Sequence, residues 1–311
     1  DHRDLHSFPT RRSSDLTRTL KREVQENRVI RVPQDFKATL SEIEKEFYEQ
    51  VTHRVRHFCE THGMLTGFIL TTPQRQMASS MPAACRAWQE KLNKGHITGL
   101  EEALYELSSE DVEETDTPVL GTLVEQLMLI ANSIGSYEEL KANDTKYQKL
   151  EKNLRSYTQE NPGEKIVLFS FFRQTLAYLK ERLTEAGFSC IILQGGDDKD
   201  ETLAAFKDEA GPQILLSSEV GSEGVDLQFS SLLINYDLPW NPMRIEQRIG
   251  RIDRLGQKAD RILIWNLMYE DTIDERIYDR LLLRLDIFRE TLGNMESIMG
   301  QVINKLTREL F

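Results

Sequence analysis

The sequence has few cysteines, no long apolar run and no pattern typical of a metal site. A membrane-spanning helix needs about 20 consecutive apolar residues, and no such run occurs. Cys59, Cys85 and Cys190 are scattered and show no CxxC spacing, which indicates a reducing environment such as the bacterial cytoplasm. His53 and His57 lie one helical turn apart, but no nearby carboxylate completes a known zinc pattern. We therefore predict neither a membrane span nor a metal site.

The charge balance excludes a uniformly basic nucleic-acid-binding protein. The 311 residues include 39 Lys and Arg against 51 Asp and Glu, a formal net charge of −12. A local basic surface is still available, because Arg244–Arg261 holds six basic residues against three acidic ones. By contrast, Glu101–Asp116 holds eight acidic residues and no basic one, which predicts a solvated surface.

The first half of the chain has two parts. Residues 1–16 show no periodic pattern, and HSFPTRRSSDL resembles translated sequencing-adapter read-through, so we expect a non-native leader and a gene that continued upstream. Residues 17–143 are predicted to be a mainly helical region. Apolar residues three and four positions apart in Ser41–Phe58 indicate an amphipathic helix, with Ser41 and Glu44 as a capping box.

Residues 144–270 show the alternation expected of an α/β domain. Helical segments or crossovers separate five strand candidates, which lie at residues 165–172, 190–193, 213–218, 232–236 and 262–267. This order predicts a mostly parallel sheet with helices on both faces. Residues 271–311 carry a helical apolar stripe and are predicted to form C-terminal helices.

A helix rich in arginine follows the fourth strand candidate. Asn241 and Pro242 give it a capping residue and a proline at the first helical position. Helical spacing puts three isoleucines on one side and places Arg244, Gln247, Arg248 and Arg251 on the other. Such a face is either simply solvated or binds an anion. Because the helix begins at the carboxyl edge of the sheet, where α/β domains bind ligands, the position favours phosphate binding.

Three motifs within residues 213–257 resemble those of one ATPase family. Residues 247–254, QRIGRIDR, resemble the Q-x-x-G-R-x-x-R motif of superfamily-two helicases, and the following LGQ is similar to the Swi/Snf-like branch. EGVD at 223–226 and DLPWNP at 237–242 resemble the two preceding motifs. The sequence of the three motifs together is most similar to the bacterial branch typified by RapA, an RNA-polymerase-associated ATPase. Phage-defence helicases share much of it.

The resemblance implies a RecA-like second lobe and assigns candidate roles. Arg251 and Arg254 would be arginine fingers, Gln247 a polar link to the nucleotide, Gly224 and Asp226 a ribose-binding turn, and Gly250 a point of close backbone approach. Asp253 stands where eukaryotic relatives usually carry His. The candidate nucleic-acid contacts, mostly through backbone NH and hydroxyl groups, are Ser170, Gln194, Gly195, Ser217, Ser218 and Trp240.

The chain lacks what this family needs to hydrolyse ATP. No Gly-Lys-Ser or Gly-Lys-Thr occurs, and Asp274-Glu275 lies after the arginine helix, inside a predicted amphipathic helix, so we do not interpret it as a magnesium-binding box. We therefore expect ATP and Mg²⁺ to be held by a missing N-terminal lobe and this fragment to be inactive alone. The implied function is that of the C-terminal half of a translocase on double-stranded DNA, or RNA, with RNA polymerase or a defence complex as partner. The alternative is a non-catalytic module that binds nucleic acid or protein.

Overall fold

The computed structural model describes residues 29–62, 66–94, 117–133, 137–222, 224–239, 242–254, 256–276 and 278–279. The predicted leader, the acidic run at 101–116, Trp240 and most of the predicted C-terminal helices lie outside these ranges. The strands are β1 (Ile30–Ala38), β2 (Ile166–Phe169), β3 (Cys190–Leu193), β4 (Ile214–Ser217), β5 (Leu232–Asn235) and β6 (Arg261–Tyr269). The helices are α1 (Glu42–His62), α2 (Thr66–Ser79), α3 (Met81–Lys94), α4 (Thr117–Ser133), α5 (Tyr137–Ala142), α6 (Thr145–Glu160), α7 (Arg173–Glu185), α8 (Lys199–Lys207), α9 (Glu219–Ser222) and α10 (Pro242–Ile252).

The strands form one parallel sheet in the order β1-β6-β5-β2-β4-β3. The continuous apolar runs of β2, β4 and β5 are fully buried, as expected for strands covered on both faces. The parallel sheet and the α/β class predicted from the sequence are confirmed. Because every strand points the same way, all the segments that leave the strands meet at one carboxyl edge.

Strand β1 was not predicted from the sequence and comes from the region expected to be helical. Its sequence, IRVPQDFKA, has no apolar run and carries Pro33, which an edge strand tolerates. It pairs only with β6, in parallel register over nine residues. Asp35 also accepts a hydrogen bond from Asn266 Nδ2 on β6 (2.8 Å). The sheet therefore extends beyond the predicted 144–270 boundary.

Alternate residues of the strands pack against different helices. Ile166 and Leu168 of β2 join a core that includes residues of α6 and α7, whereas Val167 and Phe169 join a core with α8 and α10. This is the two-faced arrangement that the alternation of strands and helices predicted. Helix α7 ends as its glycine suggested: Gly187 has φ +88° and its NH donates to Thr184 O (3.0 Å).

A third core joins the helices that precede the α/β part. Phe47, Val51 and Val55 of α1 pack there with Trp88 of α3 and with residues of α4. The predicted pairing of Ser41 with Glu44 is present: Glu44 Oε2 accepts from the Ser41 backbone NH (2.7 Å). The same carboxylate accepts from Thr145 Oγ1 (2.9 Å), so the start of α1 is tied to the start of α6.

Two general properties complete the description of the fold. Among the described residues, no helix has the length and apolar character that a membrane crossing requires. In the same part of the chain, no three His, Cys, Asp or Glu side chains come close enough to hold a metal ion. Glu275, which belongs to the Asp-Glu pair that we did not interpret as a magnesium-binding box, forms an ion pair with Lys37 of β1 (2.7 Å).

Candidate functional site

Helix α10 runs from the carboxyl edge of the sheet back to its amino edge. Near its middle, Arg248 Nη1 donates to the carbonyl oxygen of Asp237, which follows the end of β5 (3.0 Å). At its end, the Arg251 carbonyl accepts from Leu227 NH (2.9 Å), in the segment before β5. Asp253, just beyond the helix, pairs with Arg31 near the start of β1 (2.6 Å). The middle of α10 therefore lies near the carboxyl edge of the sheet, and its end lies near the amino edge.

The first two arginines of α10, Arg244 and Arg248, both bind the carboxylate of Glu219. Glu219 accepts from Arg244 Nη1 (2.7 Å) and from Arg248 Nη2 (2.9 Å). Arg248 also donates to Asn235 Oδ1 (2.9 Å), and its side chain is only 2% exposed. The sequence placed Arg248 on one ligand-facing surface with Arg251, and this expectation is wrong. Arg248 instead joins α10 to the end of β5 and to α9.

A buried carboxylate organises the carboxyl edge. Asp237 Oδ2 accepts from Ser170 Oγ (2.5 Å) and from Ser79 Oγ (2.7 Å), and its Oδ1 accepts from Phe171 NH (2.9 Å). We call Ser79, Ser170, Asp237 and Arg248 the carboxyl-edge cluster. Both serines are fully buried, and Asp237 is almost so. The cluster joins the end of α2 to the segments that follow β2 and β5.

The serines predicted to contact nucleic acid are turned inwards. Ser170 donates to Asp237, and buried Ser217 donates its hydroxyl hydrogen to the carbonyl of Ser218 (3.0 Å). Ser218 Oγ in turn accepts from Gly221 NH (3.1 Å). The Ser170 and Ser217 hydroxyls are therefore buried and hydrogen-bonded within the protein, and their contact with nucleic acid stays a prediction.

Gln194 and Gly195 remain partly exposed at the same edge, after β3. The backbone NH of Gln194 donates to Asp197 Oδ2 (2.7 Å), so this amide has an internal acceptor. Among the described members of the predicted nucleic-acid set, Gln194 and Gly195 are the ones that are not buried. Trp240, the last member of that set, lies outside the described residues.

In the second half of α10, two polar side chains have no partner among the described residues. Within the described ranges, the guanidinium of Arg251 makes no hydrogen bond and no ion pair, and Gln247 is exposed without a partner. Arg254 instead pairs with Asp226, and its Nε donates to Gly250 O (3.1 Å). We call Gln247, Arg251, Arg254 and Asp226 the arginine edge. The structure thus brings together two residues to which the resemblance gave separate roles, Arg254 and Asp226.

Both glycines assigned to this site have unfilled space beside them. Gly224 has φ +79°, a conformation that few other residues adopt, so the turn before Asp226 requires it. A Cβ built on Gly224 or on Gly250 would meet no atom within 4 Å. Gly250 lies in a regular helix, so its backbone does not need glycine. The open space beside both residues is compatible with an approaching ligand.

A buried lysine, which sequence reasoning missed, supports the carboxyl-edge cluster. Lys146 Nζ donates to the carbonyls of Ala78 (2.7 Å) and Ser79 (3.3 Å), and it lies 4.6 Å from the centre of the Tyr236 ring. Burial lowers the pKa of Lys146 to about 8, against the opposing effect of nearby carboxylates such as Asp237. Asp237 lay in a recognisable motif, but Ser79 and Lys146 carry no signal in sequence.

Comparison with known families bears on this part of the chain. Residues 145–256, which are 112 of the 311, match the family model described as the helicase conserved C-terminal domain. The match begins with α6 and ends just after the arginine edge. It includes β2 to β5 and α10.

Two known proteins are also similar to this chain, one in sequence and one in structure. A protein of Bacillus subtilis (strain 168) described as the uncharacterized ATP-dependent helicase YqhH is 39% identical over 142 residues, 45% of this chain and 25% of that protein. The crystal structure of the C-terminal part of the Fun30 ATPase domain aligns with a TM-score of 0.54 at 19% identity, over 81% of this chain and 88% of that one. That structural likeness shows the shared fold. The family match, in turn, indicates a helicase C-terminal domain within residues 145–256.

Proposed function

We propose that this lobe is the second half of an ATP-dependent nucleic-acid translocase and supplies Arg251 to a nucleotide held on another lobe. The observation that carries the proposal is that no described residue pairs with the guanidinium of Arg251, on the helix that carries the helicase-like motif. A guanidinium whose charge no internal carboxylate compensates attracts an anion that approaches it. A nucleotide phosphate supplies that charge.

The size of the expected effect follows from phosphoryl transfer. In the transition state, negative charge spreads over the transferred phosphoryl group, and a guanidinium from a second surface stabilises it. Arginine fingers of this kind contribute roughly 10³ to 10⁵ in rate, or about 4 to 7 kcal/mol. The role requires an arginine that is held in place but not neutralised. Arg251 meets both conditions, because its backbone is anchored to Leu227 and its side chain is open.

Arg254 and Asp226 can take their proposed roles only after their mutual ion pair opens. For Arg254 to reach a phosphate, or for Asp226 to accept a hydrogen bond from a ribose, their ion pair has to open. The side chains are 38% and 54% exposed, and exposed pairs contribute only about 0 to 1 kcal/mol. Opening the pair therefore costs little compared with what a finger contributes. We assign Arg251 as the primary finger and Arg254 as a second one that nucleotide binding releases.

The remaining parts of the proposal concern the whole protein. The chain spans about a quarter of the length of the curated relative that it matches. We propose that the other lobe holds ATP and Mg²⁺, that Gln247 and Gly250 face the nucleotide, and that Gln194 and Gly195 face double-stranded DNA or RNA. We further propose a cytoplasmic protein of the RapA-type branch, with RNA polymerase or a defence complex as the candidate partner.

The test is nucleic-acid-stimulated ATPase activity of the protein encoded by the complete reading frame. Arg251→Ala should lower kcat by roughly 10³-fold or more while leaving ATP binding nearly unchanged. Arg251→Lys should rescue little, because lysine lacks the planar fork. Lys258→Ala is the matched control, since it removes one exposed charge near the same end of α10. Equal turnover in Arg251→Ala and Lys258→Ala would refute the finger assignment.

One observation favours a second candidate, a non-catalytic binding module. The Arg254–Asp226 pair already neutralises part of the arginine edge without any nucleotide. In that case the complete reading frame would encode neither a phosphate loop nor an acidic magnesium-binding box. Finding both would decide for the motor.

A further inference from the structure

Helix α1 is mainly acidic in its first half and mainly basic in its second. The first half holds Glu42, Glu44, Glu46 and Glu49 with Lys45, and the second holds Arg54 and Arg56 with His53, His57 and Glu60. Negative charge near the start of a helix and positive charge near its end complement the helix dipole. The dipole therefore accounts for the order of the signs. It does not account for the shape of the surface on which the basic residues lie.

That surface is a groove between α1 and α4, with a volume of about 440 Å³. Its lining comprises Gln50, His53, Arg54 and His57 from α1 and Ile130 from α4. We call it the α1 groove. The four α1 residues are spaced i, i+3, i+4 and i+7, so they form one stripe along about 10 Å of the helix. Val51 and Val55 on the opposite face are completely buried, which fixes the orientation of the stripe.

The basic side chains of this stripe, and Arg56 beside it on α1, have no internal partner among the described residues. In the described part of the chain, His53, Arg54, Arg56 and His57 are exposed, and their side chains form no hydrogen bond or ion pair. Two other cations of the helical region are paired: Lys141 binds Glu181 (2.7 Å), and Arg86 binds the same carboxylate (2.7 Å). In a chain with a net charge of −12, carboxylates are abundant, yet none from the described residues occupies the α1 groove.

We propose that the α1 groove binds the phosphate backbone of a nucleic acid, at a site separate from the α/β lobe. This inference rests on the proposed function for the choice of a nucleic acid as the anion. Duplex DNA carries one charge per about 1.7 Å of its axis, so a 10 Å stripe spans several phosphates. Arginine binds phosphate oxygens in a bidentate manner, and backbone contacts of this type do not read sequence.

The α1 groove and the arginine edge can be altered independently. Helix α1 follows the carboxyl end of β1, and its Tyr48 hydroxyl accepts a hydrogen bond from Ile273 NH beyond the end of β6 (3.0 Å). The helix therefore begins at the carboxyl edge of the sheet. Arg251 lies towards the amino edge, at the other end of α10. A substitution in the groove should leave the arginine edge unchanged.

The experiment measures binding of the 311-residue chain to a fluorescein-labelled DNA duplex by anisotropy at several salt concentrations. Arg54→Glu should weaken binding about tenfold or more and make the salt slope shallower by roughly 0.9 for each phosphate that the variant no longer binds. Lys149→Glu, on the exposed face of α6, is the matched control, because it changes the net charge equally. Circular dichroism melting of both variants checks that the fold is intact.

Three results would overturn the inference. The first is equal duplex affinity for Arg54→Glu and Lys149→Glu, and the second is no duplex binding by the unaltered chain. The third is Arg54-dependent binding of labelled polyglutamate with duplex binding unaffected, which would assign the groove to an acidic protein. The ATPase test of Arg251 does not depend on α1, so the proposed function can stand or fall separately.

Discussion

The two halves of α10 carry the same kind of side chain in opposite surroundings. Arg248 is buried and bonded to Glu219, Asn235 and the carbonyl of Asp237. Arg251, less than one turn further along, has no partner in the part of the chain that the structure describes. Both arginines belong to one motif and were predicted to share one face. The comparison shows that helical spacing groups charged residues, but internal pairing separates those that hold the fold from those left for a ligand.

The same contrast extends to the two edges of the sheet. At the carboxyl edge, Asp237 is surrounded by donors from α2, from the segment after β2 and from α10, and Lys146 lies close by. At the arginine edge, the Arg254–Asp226 pair is largely exposed. We therefore expect substitutions at the carboxyl edge to change stability and those at the arginine edge to change activity.

The largest effect on stability is expected for Arg248→Ala. Removing the buried arginine takes the Arg248 donor from Asn235 and leaves Glu219 with Arg244 alone, which should lower the free energy of unfolding by about 3 kcal/mol. Arg251→Ala, at an open position, should change it by no more than about 0.5 kcal/mol. Urea denaturation of both variants, followed by circular dichroism, measures the difference. Similar destabilisation of the two variants would show that the halves of α10 are not distinct.

The second prediction concerns the buried charge of Lys146. Desolvation lowers its pKa in the folded protein from 10.5 to about 8, although Asp237, Asp274, Asp144 and Glu44 all act to raise it. Between these pH values the unfolded chain binds a proton that the folded chain does not, so stability should rise with pH. The gain is at most about 1.4 kcal/mol per pH unit.

Lys146→Met provides the reference for this measurement. The free energy of unfolding of the unaltered chain, minus that of Lys146→Met, should increase from about pH 8 towards pH 10 and be constant below that window. Subtracting the variant removes the titration of the many tyrosines, which the two chains share. A difference that does not change with pH would mean that the pKa of Lys146 is the same in the folded and the unfolded chain, so that burial does not penalise its charged form.

Much of the α/β part was predictable because its signals are local. Continuous apolar runs marked β2, β4 and β5, the glycine at 187 marked the end of α7, and the Ser41–Glu44 pair marked the start of α1. Each of these depends on residues that are close in sequence. The order of the motifs then indicated the family of the lobe, and the comparisons support it.

What the sequence did not reveal depends on pairing across the chain. Strand β1 forms only because β6, more than 200 residues away, offers a free edge. Its Arg31 donates to Asp253 of the QRIGRIDR motif, so this residue of the motif has a structural partner far away in the sequence. Likewise, the burial of Ser170 and Arg248 depends on Ser79 and Glu219, which no local pattern connects with them.

The smallest predicted effect tests the arginine edge itself, through the pair of Arg254 and Asp226. A double-mutant cycle with Arg254→Ala and Asp226→Ala should give a coupling free energy of at most about 1 kcal/mol, because both side chains are more than one-third exposed. The coupling should decrease further in about 1 M NaCl, since salt screens exposed charges. A coupling of about 3 kcal/mol or more would mean that the pair is as strongly held as Arg248. Arg254 would then be a structural residue, and Arg251 would be the one finger left among the described residues of this edge.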